Sequence, residues 1–261
     1  AQRTQVQEGV LHMIELKTER EIEIIRSNGK ILAQALKLVE ERIRPGTKTK
    51  ELNRLAEDFI RGQGAYPAFK GYRGFPSSIC VSIDEEVVHG IPGERALEQG
   101  QIVSVDVGVL KDGYYADAAR TYSVGEIPER SRKLIDVTRE ALEHALDLVK
   151  EGRRLSDVSH AIQSFVERNG FSVVRDLVGH GIGKKMHEEP QIPNFGEPGQ
   201  GVVLKKGMVF AIEPMVNAGS WEIDTRDDHW TIVTRDGSLS AHFEHTVAVT
   251  ENGAEILTQD P

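Results

Sequence analysis

The chain has 261 residues, 39% of them hydrophobic, with 32 Lys and Arg against 41 Asp and Glu, a net charge of -9 and an isoelectric point near 5.5. That length can bury a sizeable core, and the acidic balance argues against a direct nucleic-acid role, because binding phosphates draws on a basic surface. A single cysteine, Cys80, excludes an internal disulfide, and no apolar run of about 18 residues or signal-type segment occurs, so a soluble, cytoplasmic protein with no membrane role is expected.

Residues 1–12 are polar and patternless, which predicts a flexible N-terminal extension, with Met13 as a natural start and 13–261 as a single domain. Thr18-Glu19-Arg20-Glu21 reads as a capping box, and Ile22, Ile25, Leu32, Leu36, Val39 and Ile43 follow at helical spacing until Pro45-Gly46. A second helix over 49–61 carries Leu52, Leu55, Ala56, Phe59 and Ile60 on one face and ends near Gly62 and Gly64. Pro67 to Pro76, rich in glycine and aromatics, reads as a loop, and Ile79 to Ile83 as a short strand.

The alternation over Ile102 to Leu110 predicts a strand with Val103, Val105, Val107 and Val109 on one face and Ile102, Ser104, Asp106, Gly108 and Leu110 on the other. Asp112-Gly113 suits a two-residue type I′ turn, whose two central residues need positive φ, so the strand folds back there. Pairing Lys111 with Tyr114 sets Gly108 opposite Asp117. Asp106 and Asp117 then share a face one diagonal step apart, with the space at Gly108 left open. Like charges so placed repel and lose hydration, and a cation between them would relieve both. Taken alone, the pair reads equally well as a solvated edge residue and a turn residue.

Pro128 opens a third helix, with Leu134, Leu142, Ala145, Leu146 and Val149 at helical spacing to Gly152, and a fourth runs over 156–169 to Gly170. At a shift of 106 residues, Gly46 falls on Gly152, Leu52 on Val158, Phe59 on Phe165, Ile60 on Val166 and Gly64 on Gly170. Two amphipathic helices can match by chance, but the shared glycine–phenylalanine–glycine register favours a duplication. Duplicated halves of this kind are expected to share one sheet, with helices on one face and a crevice on the other. Further on, His180 stands among Gly179, Gly181 and Gly183, a setting open to close approach by a ligand or to an ordinary tight loop. His187 lies seven residues on. Val209 to Glu213 reads as a strand closed by Glu213 before Pro214, and Ser240 to Val249 as one continuous strand with Glu244 on one side and Phe243 and His245 on the other. An Asn252-Gly253 turn and a last strand over 254–257 follow.

Asp106, Asp117, Glu213, Glu244 and His180 make an oxygen-rich set that suits two divalent transition metals, where a shared water becomes acidic enough to attack a carbonyl. A structural zinc would draw on cysteines or more histidines, and calcium on an acidic loop. VVHGIP at 87–92, VSVDVG at 103–108, DAARTY at 117–122, GHGIG at 179–183, MHEEPQIPN at 186–194, IEPM at 212–215 and AHFEHT at 241–246 resemble the motifs of the type I, bacterial-type methionine aminopeptidases of the pita-bread family. The resemblance covers residues 14 to 258.

It implies an α+β pita-bread fold: two pseudo-two-fold αβ halves with a curved antiparallel sheet covered by helices on one face. It also implies a metal-dependent methionyl aminopeptidase that removes the initiator methionine from Met-initiated peptides and nascent chains when the second residue is small. Asp106, Asp117, His180, Glu213 and Glu244 would hold two divalent ions per chain, of cobalt, manganese, iron or similar, with Asp117 and Glu244 bridging. His187 would sit by the scissile carbonyl oxygen, His89 by the amide, and Glu213 would shuttle the proton to the leaving amine. Phe69, Tyr72, Phe75, Cys80 and Trp230 would surround the methionine side chain; Phe75 replaces the tyrosine of many relatives. Action on nascent chains implies contact with the ribosome, and a monomer is expected.

Other members of the fold fit less well. Proline-specific peptidases and creatinase-like hydrolases carry a large N-terminal domain, and only about a dozen residues precede the first helix here. Type II methionine aminopeptidases insert a helical subdomain between the GHG histidine and the IEP glutamate, for which positions 181–212 leave no room. Eukaryotic type I enzymes add a Cys-rich extension, and residues 1–12 hold no cysteine. A binding protein that had lost the chemistry should lack a ligand, and none of the five is missing.

Overall fold

The computed structural model describes residues 14–259; the extension expected over 1–12 and the start expected at Met13 lie outside them. In chain order come helices α1 (Glu19–Glu40) and α2 (Thr49–Gly62), then strands β1 (Tyr66–Pro67), β2 (Ile79–Ile83), β3 (Glu86–Val88), β4 (Ile102–Lys111) and β5 (Tyr114–Ser123). Helices α3 (Glu129–Leu146) and α4 (Leu155–Arg168) follow, then β6 (Ser172–Val173), β7 (Gly179–Gly181), β8 (Glu188–Ile192), β9 (Val209–Ile212) and β10 (Met215–Asn217). The chain closes with β11 (Ile223–Thr225), β12 (Ile232–Thr234), β13 (Ser240–His242), β14 (His245–Thr250) and β15 (Gly253–Ile256).

The β4–β5 hairpin has the expected register, Lys111 opposite Tyr114 and Gly108 opposite Asp117, around Asp112 and Gly113 at φ 51° and 78°. Its valine face, Val103 to Val109, packs under α1 and α2 in one hydrophobic core. Thr18 caps α1 in a reciprocal box with Glu21, and Asn28 on that helix donates to the carbonyls of Lys111 and Tyr114, tying the helix to the hairpin turn. A second core gathers α3, α4 and the strands of the C-terminal half. The repeat is visible in the backbone. Gly46 and Gly152 take φ 89° and 87°, their N–H groups donate to Leu97 and Leu204, and the helix boundaries at 49 and 155 keep the 106-residue offset.

Four expectations need correction. Among the described residues the strands divide into four hydrogen-bonded sheets rather than one: β1, β4, β2 and β5; β15, β14, β9, β7 and β8; β13, β10 and β6; β11, β12 and β3. The expected strand Ser240 to Val249 is two, β13 and β14, parted at Phe243-Glu244; β9 likewise ends at Ile212, one residue before Glu213. The last turn centres on Glu251-Asn252, since Thr250 pairs with Gly253. The space beside Gly108 is filled: a Cβ there would lie 2.7 Å from the Phe69 ring, which the glycine admits.

Where the ladder stops, side chains take over. The Thr246 hydroxyl accepts from the Asp117 N–H (2.9 Å) and donates to the Asp117 carbonyl (2.8 Å). Thr121 does the same in reverse, accepting from the His242 N–H and donating to the His242 carbonyl. Between them the Glu244 N–H donates to the Ala119 carbonyl at 2.9 Å. β5 of one half is thus seamed to residues 242–246 of the other, satisfying backbone groups that a continuous sheet would have paired.

Candidate metal centre and pocket

The seam fixes the acidic side chains. Asp106 and Asp117 come from the hairpin, Glu213 and Glu244 from the two breaks, and His180 from β7. One ligating atom from each of Asp117, His180 and Glu244 falls within 4.8 Å of the others. The Glu213 carboxylate stands 3.7 Å from His180 Nε2, and Asp106 and Asp117 stand one diagonal step apart on the hairpin, with Gly108 opposite Asp117. The His180 Nδ1 can only donate to the Gly181 carbonyl, 2.9 Å away, so Nε2 presents its lone pair to the carboxylates.

The electrostatics of this cluster are adverse without a cation. Burial, and then mutual repulsion, pushes Asp117 and Glu244 well above the ordinary carboxylate range. Burial lifts Asp106 to about 7, and Glu213 to about 7 as well. Asp106 Oδ1, Asp117 Oδ1 and Glu244 Oε1 are buried with no hydrogen-bond partner among the described residues. Orphaned acceptors of one charge, facing an imidazole lone pair, are the donor set a divalent cation would satisfy. The residues present fit such an ion.

These groups form one end of a cavity of about 170 Å³ whose other walls are Phe69, Tyr72, Phe75, Cys80 and Trp230, with His89 and His187 at its sides. All twelve residues named from the sequence line it. Cys80 pairs with Asp106 across β2 and β4, and burial raises its thiol well above the usual value, leaving it a neutral, apolar wall. Phe75 meets Trp230 edge-on at 5.2 Å. Pairing of β3 with β12 brings the loop that ends at Trp230 beside His89, whose backbone takes φ 60°, a strained region for a residue with a side chain. Burial lowers His89 to about 4, so it is neutral at pH 7. His187 keeps an outer edge open to solvent, yet desolvation and then His180, Arg73 and His89 hold it below the ordinary histidine value. Its ring stacks on Tyr72 at 5.4 Å, and its Nδ1 lies 2.8 Å from the Tyr72 hydroxyl.

Three neighbours escaped the sequence reading. His242 lies behind Glu213, its Nε2 buried, without a hydrogen-bond partner among the described residues and 3.6 Å from the carboxylate; it falls inside the AHFEHT motif, but its contact is with a residue in the break after β9. Asn194 donates to the Glu213 carbonyl at 2.9 Å. Arg73 stands on the cavity rim. A larger groove of about 630 Å³, lined by Arg42, Arg44, Lys50 and Arg54 among others, lies at α2 and gathers no histidine or cysteine.

Residues 23–251 match the model of metallopeptidase family M24. The chain is 55% identical over 247 residues to methionine aminopeptidase 1 of Bacillus subtilis, covering 95% of this chain and 100% of that one. Among solved structures, the methionine aminopeptidase of Thermotoga maritima superimposes with a TM-score of 0.94 at 53% identity, covering 95% of this chain and 100% of the other. A prolidase of Pyrococcus horikoshii superimposes with a TM-score of 0.78 at 25% identity, covering 97% of this chain but only 65% of its own. The fold is the pita-bread fold that these neighbours share.

Proposed function

The chain belongs to metallopeptidase family M24, and from that premise we propose that it is a methionyl aminopeptidase, cleaving the first peptide bond of Met-initiated chains whose second residue is small. The observation that carries this reading is the juxtaposition of unpartnered buried carboxylates with an aromatic-walled pocket of about 170 Å³. The near-complete mutual coverage with methionine aminopeptidases supports it, whereas the prolidase extends well beyond the shared part.

Asp106, Asp117, His180, Glu213 and Glu244 would hold two divalent ions, with cobalt, manganese and iron as candidates. Such ions, when bound, supply Lewis acidity that polarises a carbonyl and acidifies water. The remaining steps belong to the chain. Phe69, Tyr72, Phe75 and Trp230 with the Cys80 thiol enclose the methionine side chain, a wall that suits a polarizable thioether. His187 donates a hydrogen bond to the scissile carbonyl oxygen as negative charge develops there. His89, neutral at pH 7, bonds the adjacent amide. Glu213 takes a proton from the attacking water and returns it to the leaving amine, a role its carboxylate can fill from the wall of the cavity beside His180. Residues 13–261 act as one catalytic domain, working on nascent chains in the cytoplasm.

The test is hydrolysis of Met-Ala-Ser against Leu-, Pro- and Xaa-Pro-initiated peptides across a metal panel, with a chelator control. Selective, chelator-sensitive release of methionine is expected. Preference for Xaa-Pro peptides, or full activity in chelator, would overturn the reading.

A further inference from the structure

An open groove of about 560 Å³ continues outward from the pocket and shares three residues with it, Arg73, His180 and His187. A peptide held with its first side chain in the pocket and its first peptide bond at His187 would therefore leave along this groove. Half of the groove's charged residues are already committed: Lys184 pairs with Glu21 at 3.2 Å, and Lys17 pairs with Glu188 at 2.6 Å and Glu15 at 3.4 Å. Arg73 is different. It is exposed and pairs with no carboxylate among the described residues. Its guanidinium lies 5.5 Å from the centre of the Tyr72 ring, and that ring stacks on His187. Together with Lys185, which also pairs with no carboxylate among the described residues, it offsets Glu189 and the charge that Lys17 leaves over on Glu15 and Glu188, so the groove is not acidic in a chain whose net charge is -9.

We propose that Arg73 is a specificity-determining residue on the leaving side of the substrate, favouring peptides with a carboxylate at the third or fourth position. The position follows from reach. The ring spacings put the guanidinium within about 11 Å of the His187 ring, about three residues of extended peptide at roughly 3.3 Å each. Counted from the first peptide bond, that spans the third and fourth side chains. Tyr72 holds the guanidinium by its face, a contact that leaves the planar N–H fork free for a carboxylate.

The inference rests on the aminopeptidase reading, and the experiment separates the two. With metal-loaded protein, kcat/KM is measured for Met-Ala-Glu-Ser and Met-Ala-Gln-Ser, both C-terminally amidated so that no terminal carboxylate competes, and for the pair with Glu or Gln in fourth place. The quantity read is the Glu/Gln ratio, within each variant. At low salt it should favour Glu by about two- to fivefold at one of the positions, the range exposed ion pairs give. It should shrink in about 0.5 M NaCl, collapse to near one in Arg73→Gln, and survive in Arg73→Lys. A residue that merely props the loop would lower both peptides alike and leave the ratio standing. A wild-type ratio near one at both positions, or a ratio unchanged by Arg73→Gln, would overturn the proposal. Failure to cleave Met-Ala-Ser at all would strike instead at the aminopeptidase reading.

Discussion

Replacing Asp106 with asparagine should stabilise the metal-free protein at alkaline pH, although it removes a proposed ligand. In the folded chain burial lifts the Asp106 carboxyl from its ordinary 3.8 to about 7. At about 1.4 kcal/mol per pH unit, the ionised form is opposed by up to about 4 kcal/mol. The sign follows from proton linkage: the folded chain keeps a proton that the unfolded chain has released, so this group's support is complete below pH 4 and is lost as pH rises through about 7. Asparagine has no proton to lose. In chelator, Asp106→Asn should therefore exceed the wild type by about 4 kcal/mol at pH 8 and by under about 1 kcal/mol at pH 4. The difference between the proteins cancels the opposite trend of His89 and His187, whose lowered values favour the folded state as pH rises toward 6.5. Urea unfolding at the two pH values, extrapolated to water, reads the quantity directly. A variant no more stable than the wild type at pH 8 would mean that Asp106 is not held against its charge, and the electrostatic case for the cation cluster would fall with it.

His187→Ala should retain wild-type metal content by elemental analysis while kcat falls by about 10²–10³, the usual cost of losing one oxyanion donor; unchanged kcat would remove that role. Thr246→Val should cost roughly 1–3 kcal/mol in urea unfolding, because the Asp117 N–H and carbonyl both lose their partner at the seam; a neutral effect would mean water replaces the hydroxyl. Gly108→Ala should raise KM for Met-Ala-Ser by roughly tenfold, since its Cβ would lie 2.7 Å from Phe69 and an overpacked contact of this kind displaces the ring. An unmoved KM would show that Phe69 does not bound the methionine pocket.

The hairpin was legible residue by residue because its register is set locally: Asp112-Gly113 admits one turn, and period 2 then assigns every side chain a face. The duplicated helices were legible for the same reason, their ends being marked by glycines that take positive φ in both halves. What could not be read were the interruptions. The apolar alternation of Ser240 to Val249 runs through Phe243-Glu244 without a break, since periodicity reports which way side chains point and not whether the neighbouring backbone is within hydrogen-bonding reach. His242 and Arg73 were missed for a related cause. The first matters through Glu213, which lies in the break between β9 and β10, and the second through the Tyr72 ring in a loop without periodicity.

The interruptions and the cluster have one origin. A continuous ladder from β5 into the second half would bring Glu213 and Glu244 into regular strands, each with a side chain on a packed face. Ending β9 at Ile212 and parting β13 from β14 frees both glutamates to turn toward Asp106 and Asp117, while Thr121 and Thr246 satisfy the backbone left behind. The halves are then joined by few direct bonds at the place where their carboxylates repel most. Cations bound there would act on the fold as well as the chemistry: binding to the native state alone adds about 2.7 kcal/mol per ion at a hundredfold excess over Kd, so two ions together outweigh the roughly 4 kcal/mol that ionised Asp106 costs the metal-free wild type. The order predicted for Asp106→Asn and wild type at pH 8 should accordingly invert when manganese or cobalt replaces the chelator, because only the wild type keeps the full ligand set. Persistence of the variant's advantage in saturating metal would mean that the ions do not bridge the seam.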